Sequence, residues 1–406
     1  MKIRSITCFY NPKSNTGQKD LDRFESMIHK ARSMFTNEGY VVQSVRLATT
    51  PFPDWLPSME INDAIHLVKA MERGIKESGF DYGCLGPATP KNFESYSLIA
   101  RMLEATENLF FSGIMAEPNQ GILPAVVRAC AEIIHQSART SSNGFTNLRF
   151  AALANVPAWV PFFPAAYATG DQPAFTLAIE SADLALSAYT QSSSLNEGSN
   201  KLIQMLESHS KSLGIICDQL AKTFEVNFKG FDFSLAPFPD EWTSLGKAIE
   251  SLGPPRIGLL GSITASAVLA SALDQGNWRR TGFNGLMLPV LEDSTLAERA
   301  SSSLTIKDLL LFSTVCGVGL DTVPLPGDTT VEQIYALLLD IAALSLRLNK
   351  PLTARLMPIP GKKAGDKVQF DFAYFSSGWV LDLPAEPLQN LLARDETFNI
   401  RPRTFS

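Results

Sequence analysis

Along most of the chain, short apolar runs alternate with longer stretches whose apolar residues recur every three to four positions. The short runs, rich in β-branched and aromatic residues, predict strands, and the longer stretches predict helices with one buried face. Strands are expected near 2–10 ("KIRSITCFY"), 40–48, 81–86, 109–116 ("LFFSGIMA"), 149–155, 174–180, 229–235 ("KGFDFSL"), 257–261, 283–291 ("FNGLMLPVL"), 318–324 and 352–359. Helices are expected over 20–37, 60–78, 93–106, 121–139, 199–225, 241–252, 262–275, 304–315 and 329–348. Repeated strand–helix alternation implies parallel pairing, because parallel neighbours need a crossover. About ten such units, with no long Pro/Gly/Ser linker between them, imply a single α/β domain that closes or nearly closes into a barrel. The segments 137–147 and 188–200 read as insertions, and "DKVQFDFAYFSSGWVLDL" as a C-terminal hairpin extension over about 366–406.

The stretch "VCGVGLDTVPLPGDTT" (315–330) is mostly punctuation. It follows a helix with leucines and Phe312 at helical spacing, and Gly317 or Gly319 supplies the positive φ of a helix stop. "LDTV" is extended, "PLPGD" turns the chain, and Thr329 with Glu332 has the spacing of a capping box for the next helix. Cys316 reads as a small apolar residue at the helix end. Asp321 differs, because an unpaired carboxylate inside an apolar strand would be costly.

Strand periodicity carries the same argument to "KGFDFSLAP". Phe231, Phe233 and Leu235 share the face that helices should cover, which turns Asp232 and Ser234 to the interior. Asp232, Ser234 and Asp321 are therefore the candidate catalytic residues. Converging carboxylates suit acid/base work, or oxygen ligation of Mg²⁺ or Mn²⁺. Their structural alternative is a lock, in which each carboxylate bonds backbone or pairs with a buried cation such as Arg355. Loops beyond strand C-termini add Glu117, Asn119, Glu292 and Lys13, with Arg355, as candidate substrate-binding residues. Helix caps belong in the same loops, and Ser14 and Asp293 read as caps.

Composition narrows the function classes. The 406 residues are 45% hydrophobic and 19% charged with a net charge of −6, and the longest basic runs are pairs. That argues against a nucleic-acid partner, which needs clustered Lys and Arg. The most apolar segment, "LANVPAWVPFFPAAYA", is cut by three prolines, and no signal peptide is recognisable, so a cytoplasmic protein without a membrane partner is expected. Five scattered cysteines without CxxC spacing read as reduced thiols, and four histidines on helical patterns give no zinc spacing. Neither a Gly-x-Ser-x-Gly elbow nor a Ser-His-Asp set is present. A small-molecule ligand is the expected partner, with a homodimer as the candidate assembly.

"TVCGVGLDTVPLPGDT", "FDFSLAPFPDE" (231–241), "ARLMPIPGKKAGDKVQF" (354–370) and "MKIRSIT" together resemble the family called domain of unknown function 711. The resemblance is collinear along the chain and densest beyond residue 228. It implies a pyruvate formate-lyase-like barrel of about ten strands: two parallel half-barrels, mutually antiparallel, helices outside and a loop threaded within. It also implies a cysteine in the strand matching "LFFSGIMAE", where this chain has Phe111 and Ser112, and a Phe-His-Gly segment near "PFFPAAYATG", where the histidine is absent. Glycyl-radical chemistry is excluded, since "RRTGFNG" (279–285) has neither the spacing nor the C-terminal position of that motif. Two readings follow. The interior carboxylates favour an enzyme acting on a small polar metabolite. The missing cysteine and histidine favour a ligand-binding or regulatory relative that has lost reactive side chains.

Overall fold

The computed structural model describes residues 1–315 and 318–403, and Cys316, expected at a helix end, lies outside them. Nine long strands and a two-residue one form one mostly parallel sheet. In chain order these are β1 (Lys2–Tyr10), β2 (Val45–Thr49), β3 (Tyr82–Ala88), β4 (Leu109–Glu117), β5 (Gly121–Ile122), β6 (Phe150–Ala154), β7 (Ala174–Glu180), β8 (Asn227–Asp232), β9 (Gly319–Pro326) and β10 (Leu352–Ile359). Their spatial order is β8-β7-β1-β2-β3-β4-β6-β10-β9, with β5 folded back on β4. The five strands β1, β2, β3, β4 and β6 are mutually parallel. β7 pairs antiparallel to β1 at one side and β10 antiparallel to β6 at the other, each with a parallel neighbour beyond it. The sheet thus has two oppositely directed halves.

The ladder is not closed: β8 and β9 are its ends. The strand expected over 283–291 is not regular: residues 279–290 make isolated parallel bridges, Arg280 and Leu286 to the β8 side and Pro289 to Asp321 of β9. Gly282 (φ 74°) and Asn284 (φ 44°) adopt left-handed backbone there, which a strand does not tolerate. The apolar run 257–261 also forms no strand, and its Leu260 is fully exposed.

Two-residue alternation sorts side chains between the faces. Val45 and Leu47, Leu109 and Phe111, and Leu352, Ala354 and Leu356 join the large core beneath the helices. That core includes Leu337, Leu338, Ile341 and Ala342 of the helix Val331–Leu348, which packs on the helix Pro124–Ser137. Each fully buried leucine contributes about 1.5–3 kcal/mol relative to exposure. On the other face, Phe9, Ala48, Cys84 and Phe110 pack on Phe163, Ala166 and Ala168, while Ile114, Ala151 and Leu153 pack on Val156, Val160 and Phe162. The segment 156–168 therefore lies against the inner face of the sheet.

Punctuation at 315–330 follows the expected logic with one shift. The capping box is Thr330 with Gln333, not Thr329 with Glu332. The Thr329 hydroxyl instead donates to the Pro326 carbonyl at 2.6 Å. Gly319 has φ 97°, and a Cβ there would lie 2.3 Å from the Thr353 carbonyl oxygen, so the strand start excludes a side chain. The region 188–200, read as an insertion, is the end of one helix (Ala182–Thr190) and the start of another (Leu195–Phe224). C-terminal to β10, β11 (Lys367–Val368) and β12 (Gly378–Trp379) pair antiparallel as a small hairpin. Among the described residues no helix is long and apolar enough to cross a membrane.

Candidate functional site

Inner-face positions near the beginnings of the first half's strands converge on a cavity of about 180 Å³. Arg4 stands early in β1, Arg46 second in β2, Tyr82 first in β3, Phe110 second in β4, and Arg149 just before β6. The opposite-running half contributes Arg355 from β10 and Glu292 from the end of the bridging segment. Phe162 and Phe163 of the inner segment form the floor, and Phe145, Phe372 and Tyr374 wall the cavity from the hairpin side.

Two of the arginines are neutralised. Arg355 donates from Nε to Asp321 Oδ1 at 2.5 Å and from a terminal nitrogen to Glu292 Oε1 at 2.8 Å. Glu292 also pairs through Oε2 with Arg4, which donates to the Pro237 carbonyl at 3.0 Å and lies 4.0 Å from Glu180. Burial alone would raise the Glu292 carboxyl, but Arg355 and Arg4 outweigh it and hold it below the usual carboxylate range. Asp321 is pushed up, by burial first and by Glu292 competing for Arg355, whose own charge opposes the rise. A third arginine, Arg149, is spent on the Leu103 and Leu109 carbonyls at 2.8 and 3.2 Å.

Arg46 is different. Its Nε donates to Ser44 Oγ at 3.0 Å and its guanidinium stacks 5.2 Å from the Phe163 ring centre, but no carboxylate pairs with it among the described residues. Burial, and then repulsion from Arg4, pull it down to about 10. Arg46 is half-buried at the cavity wall and Glu292 offsets only part of this shift, so an anion beside the guanidinium would be favoured.

Asp232 and Ser234 do lie on the face away from the helices, yet neither lines the cavity, and neither does Asp321. Asp232 accepts from the Asn284 and Ser234 backbone N–H groups at 3.0 Å, from Phe283 N–H at 2.9 Å and from the Ser234 hydroxyl at 2.5 Å. Ser234 Oγ in turn accepts from Gly285 N–H at 3.1 Å. These side chains supplement the few backbone bonds between the β8 side and the irregular 279–290 segment, such as Phe231 N–H to the Arg279 carbonyl at 2.8 Å. A Cβ on Gly282 would meet Asp232 Oδ2 at 2.2 Å, so the latch is tight. Asp232 and Asp321, expected to face a common cavity, are thus held apart: Asp232 bonds the 279–290 segment and Asp321 pairs with Arg355. Asp232→Ala strands two buried N–H groups and is expected to cost roughly 2–5 kcal/mol in urea denaturation. Unchanged stability would refute the latch.

Of the expected binding residues, Glu292 and Arg355 line the cavity and Glu117, Asn119 and Lys13 do not. Glu117 ends β4 and accepts from Gln120 at 2.5 Å, Asn119 is exposed in the following turn, and Lys13 donates to the Asp54 carbonyl at 2.7 Å beyond the end of β1. A strand the length of β1 (nine residues) spans roughly 30 Å. These three lie beyond the C-terminal ends of the first half, whereas the arginines gather where its strands begin. Asp293 is a cap, accepting from Thr295 and Leu296 and also from Leu245 and Gly246, so it serves two helices. Ser14 accepts from Thr16 N–H at 3.3 Å inside the loop instead of capping the helix that begins at Gly17. The carboxylate oxygens do not suit Mg²⁺ or Mn²⁺: those of Asp232 are taken by N–H and O–H donors and those of Glu292 by guanidiniums.

Residues 1–376 match the family described as Uncharacterised ACR (DUF711). The chain belongs to the DUF711 family. Similar proteins include a UPF0210 protein of Methanopyrus kandleri, 29% identical over 75% of this chain and 70% of its own. Another is a UPF0210 protein of Methanocaldococcus jannaschii, 26% identical over 88% of this chain and 83% of its own. A third, from Syntrophobacter fumaroxidans, is 29% identical over 82% and 77% respectively. These names state no reaction and no ligand.

In this DUF711 chain, sequence reasoning missed Arg4, Arg46, Arg149 and the aromatic walls. A signal for Arg46 existed. In "VRLAT" it sits between Val45 and Leu47, the same pattern that singled out Asp321. Phe162, Phe163, Phe372 and Tyr374 lie outside the sheet's strands, where no periodicity reveals their direction.

Proposed function

We propose that this protein is a ligand-binding member of its family that holds a small anionic metabolite in the arginine- and aromatic-lined cavity. One observation carries this reading: Arg46 is half-buried, faces the cavity and has no carboxylate partner among the described residues, while its neighbours Arg4 and Arg355 are neutralised. The proposed architecture is a single barrel, with the 279–290 segment as its irregular tenth staff and the C-terminal hairpin as one wall of the ligand chamber. Two bridge contacts beside β8 and one beside β9 support that closure. The interior carboxylates offer no free acid/base pair, since Asp232 and Asp321 are engaged by backbone donors and by Arg355. That favours binding over catalysis. The four cysteines among the described residues are buried and unpaired, which is compatible with a reducing, cytoplasmic setting.

A thermal-shift screen of small carboxylates and phosphates tests the proposal. A ligand at about one hundred times its Kd is expected to stabilise the fold by about 2.7 kcal/mol. No shift with any anion at millimolar concentration would overturn it.

A further inference from the structure

We infer that the ligand is a single-ring aromatic monocarboxylate, its carboxylate held by Arg46 with the Tyr82 and Tyr374 hydroxyls and its ring lying against Phe110 and Phe163. This rests on the anion-binding reading of the same cavity and adds the chemical class.

Size comes first. The cavity measures about 180 Å³, and an apolar cavity of about 150 Å³ accepts benzene. One ring with a carboxylate fits that volume. The walls come second. Phe163 packs on Phe110 with ring centres 5.4 Å apart, and Phe110 meets Tyr82 edge-on at 5.6 Å. On the hairpin side, Phe372 meets Phe145 edge-on at 5.1 Å and Tyr374 at 5.2 Å. Such walls offer faces and edges to another ring. A compact hydrated anion such as phosphate would lose water there and gain little from the walls.

Donors come third. The terminal nitrogens of Arg46 and both phenol hydroxyls have no hydrogen-bond partner among the described residues. A guanidinium fork matches a planar carboxylate, and the phenol O–H groups can donate to the same oxygens. Charge sets the valence. With Arg4 and Arg355 committed to Glu292, and Arg149 to two carbonyls, Arg46 holds the free donors, and a second carboxylate on the ligand would meet Glu292 and Glu107, which also line the cavity.

Calorimetric titration of the full chain with benzoate, cyclohexanecarboxylate, phosphate and benzyl alcohol tests this. Benzoate is expected to bind about three- to tenfold more tightly than cyclohexanecarboxylate, the range of an aromatic contact beyond its area. Phosphate and benzyl alcohol are expected to bind much more weakly than benzoate. Phe110→Leu, with its fold checked by circular dichroism, is expected to erase the benzoate preference. Cyclohexanecarboxylate or phosphate binding as tightly as benzoate would overturn the ring while leaving the anion reading standing. Benzyl alcohol binding as tightly as benzoate would overturn the carboxylate. Binding of none of the four would remove the anion reading as well.

Discussion

Arg46→Met is expected to weaken anion binding by about 30- to 1,000-fold, the loss of roughly 2–4 kcal/mol from a desolvated, charge-assisted contact. The same substitution is expected to leave the folded state as stable as before, or slightly more stable. In the free protein Arg46 makes one bond, to Ser44, and rests on Phe163. Its half-buried charge is repelled by Arg4, and Glu292 offsets only part of that repulsion. Methionine keeps an unbranched apolar stem over the Phe163 ring and removes a charge that the free fold compensates only in part. Titration with benzoate, paired with urea denaturation of the apo protein, separates the two effects. A variant that binds as the parent does would show that the anion lies elsewhere. One that loses several kcal/mol of stability would make Arg46 a structural residue.

Much of the architecture was legible in the sequence because strand periodicity is a local signal. β1, β4, β7 and β10 lie within a residue or so of the expected ranges, and the inward direction of Asp232 followed from its phenylalanine neighbours. The run 257–261 misled because apolar content alone looks the same as a strand: Ile257 is buried in the core, but Leu259 and Leu260 are exposed. The site was harder to read for a topological reason. The rule that ligands gather beyond strand C-termini assumes that all strands run one way. Here the first half's C-termini carry Glu117 and Lys13, while the cavity lies where that half begins and the opposite half ends. Residues as distant in the chain as Arg46, Phe163 and Tyr374 meet there, and no spacing rule connects them. Carboxylates inside apolar strands stand out because their burial demands a partner. Glu292, Asp321 and Asp232 each have one in the fold.

Glu292→Gln is expected to be the most destabilising single change at the cavity, costing about 3–5 kcal/mol at neutral pH, the usual penalty for breaking a buried ion pair from one side. Glu292 is the shared counter-ion of Arg4 and Arg355, and all three side chains are nearly or fully desolvated. An amide cannot neutralise either guanidinium, and its NH₂ would face one of them. The pH dependence has a definite sign. The Glu292 carboxyl is held below its ordinary value in the folded protein, so its stabilising contribution is complete above the unfolded glutamate value of about 4.3. It is lost as pH falls through the depressed folded value, where the parent too becomes protonated. Asp321 runs the other way. Its raised folded value means that its contribution is complete below the unfolded value and falls off as pH rises. In the variant Asp321 no longer competes for Arg355, and its carboxyl is expected to drop back. The stability gap between parent and Glu292→Gln, measured by urea denaturation, is therefore expected to stay wide from pH 7 to about pH 5 and to narrow only in stronger acid. An equal gap at every pH would place the loss in packing, and no gap at neutral pH would mean that water, not Glu292, compensates the two arginines.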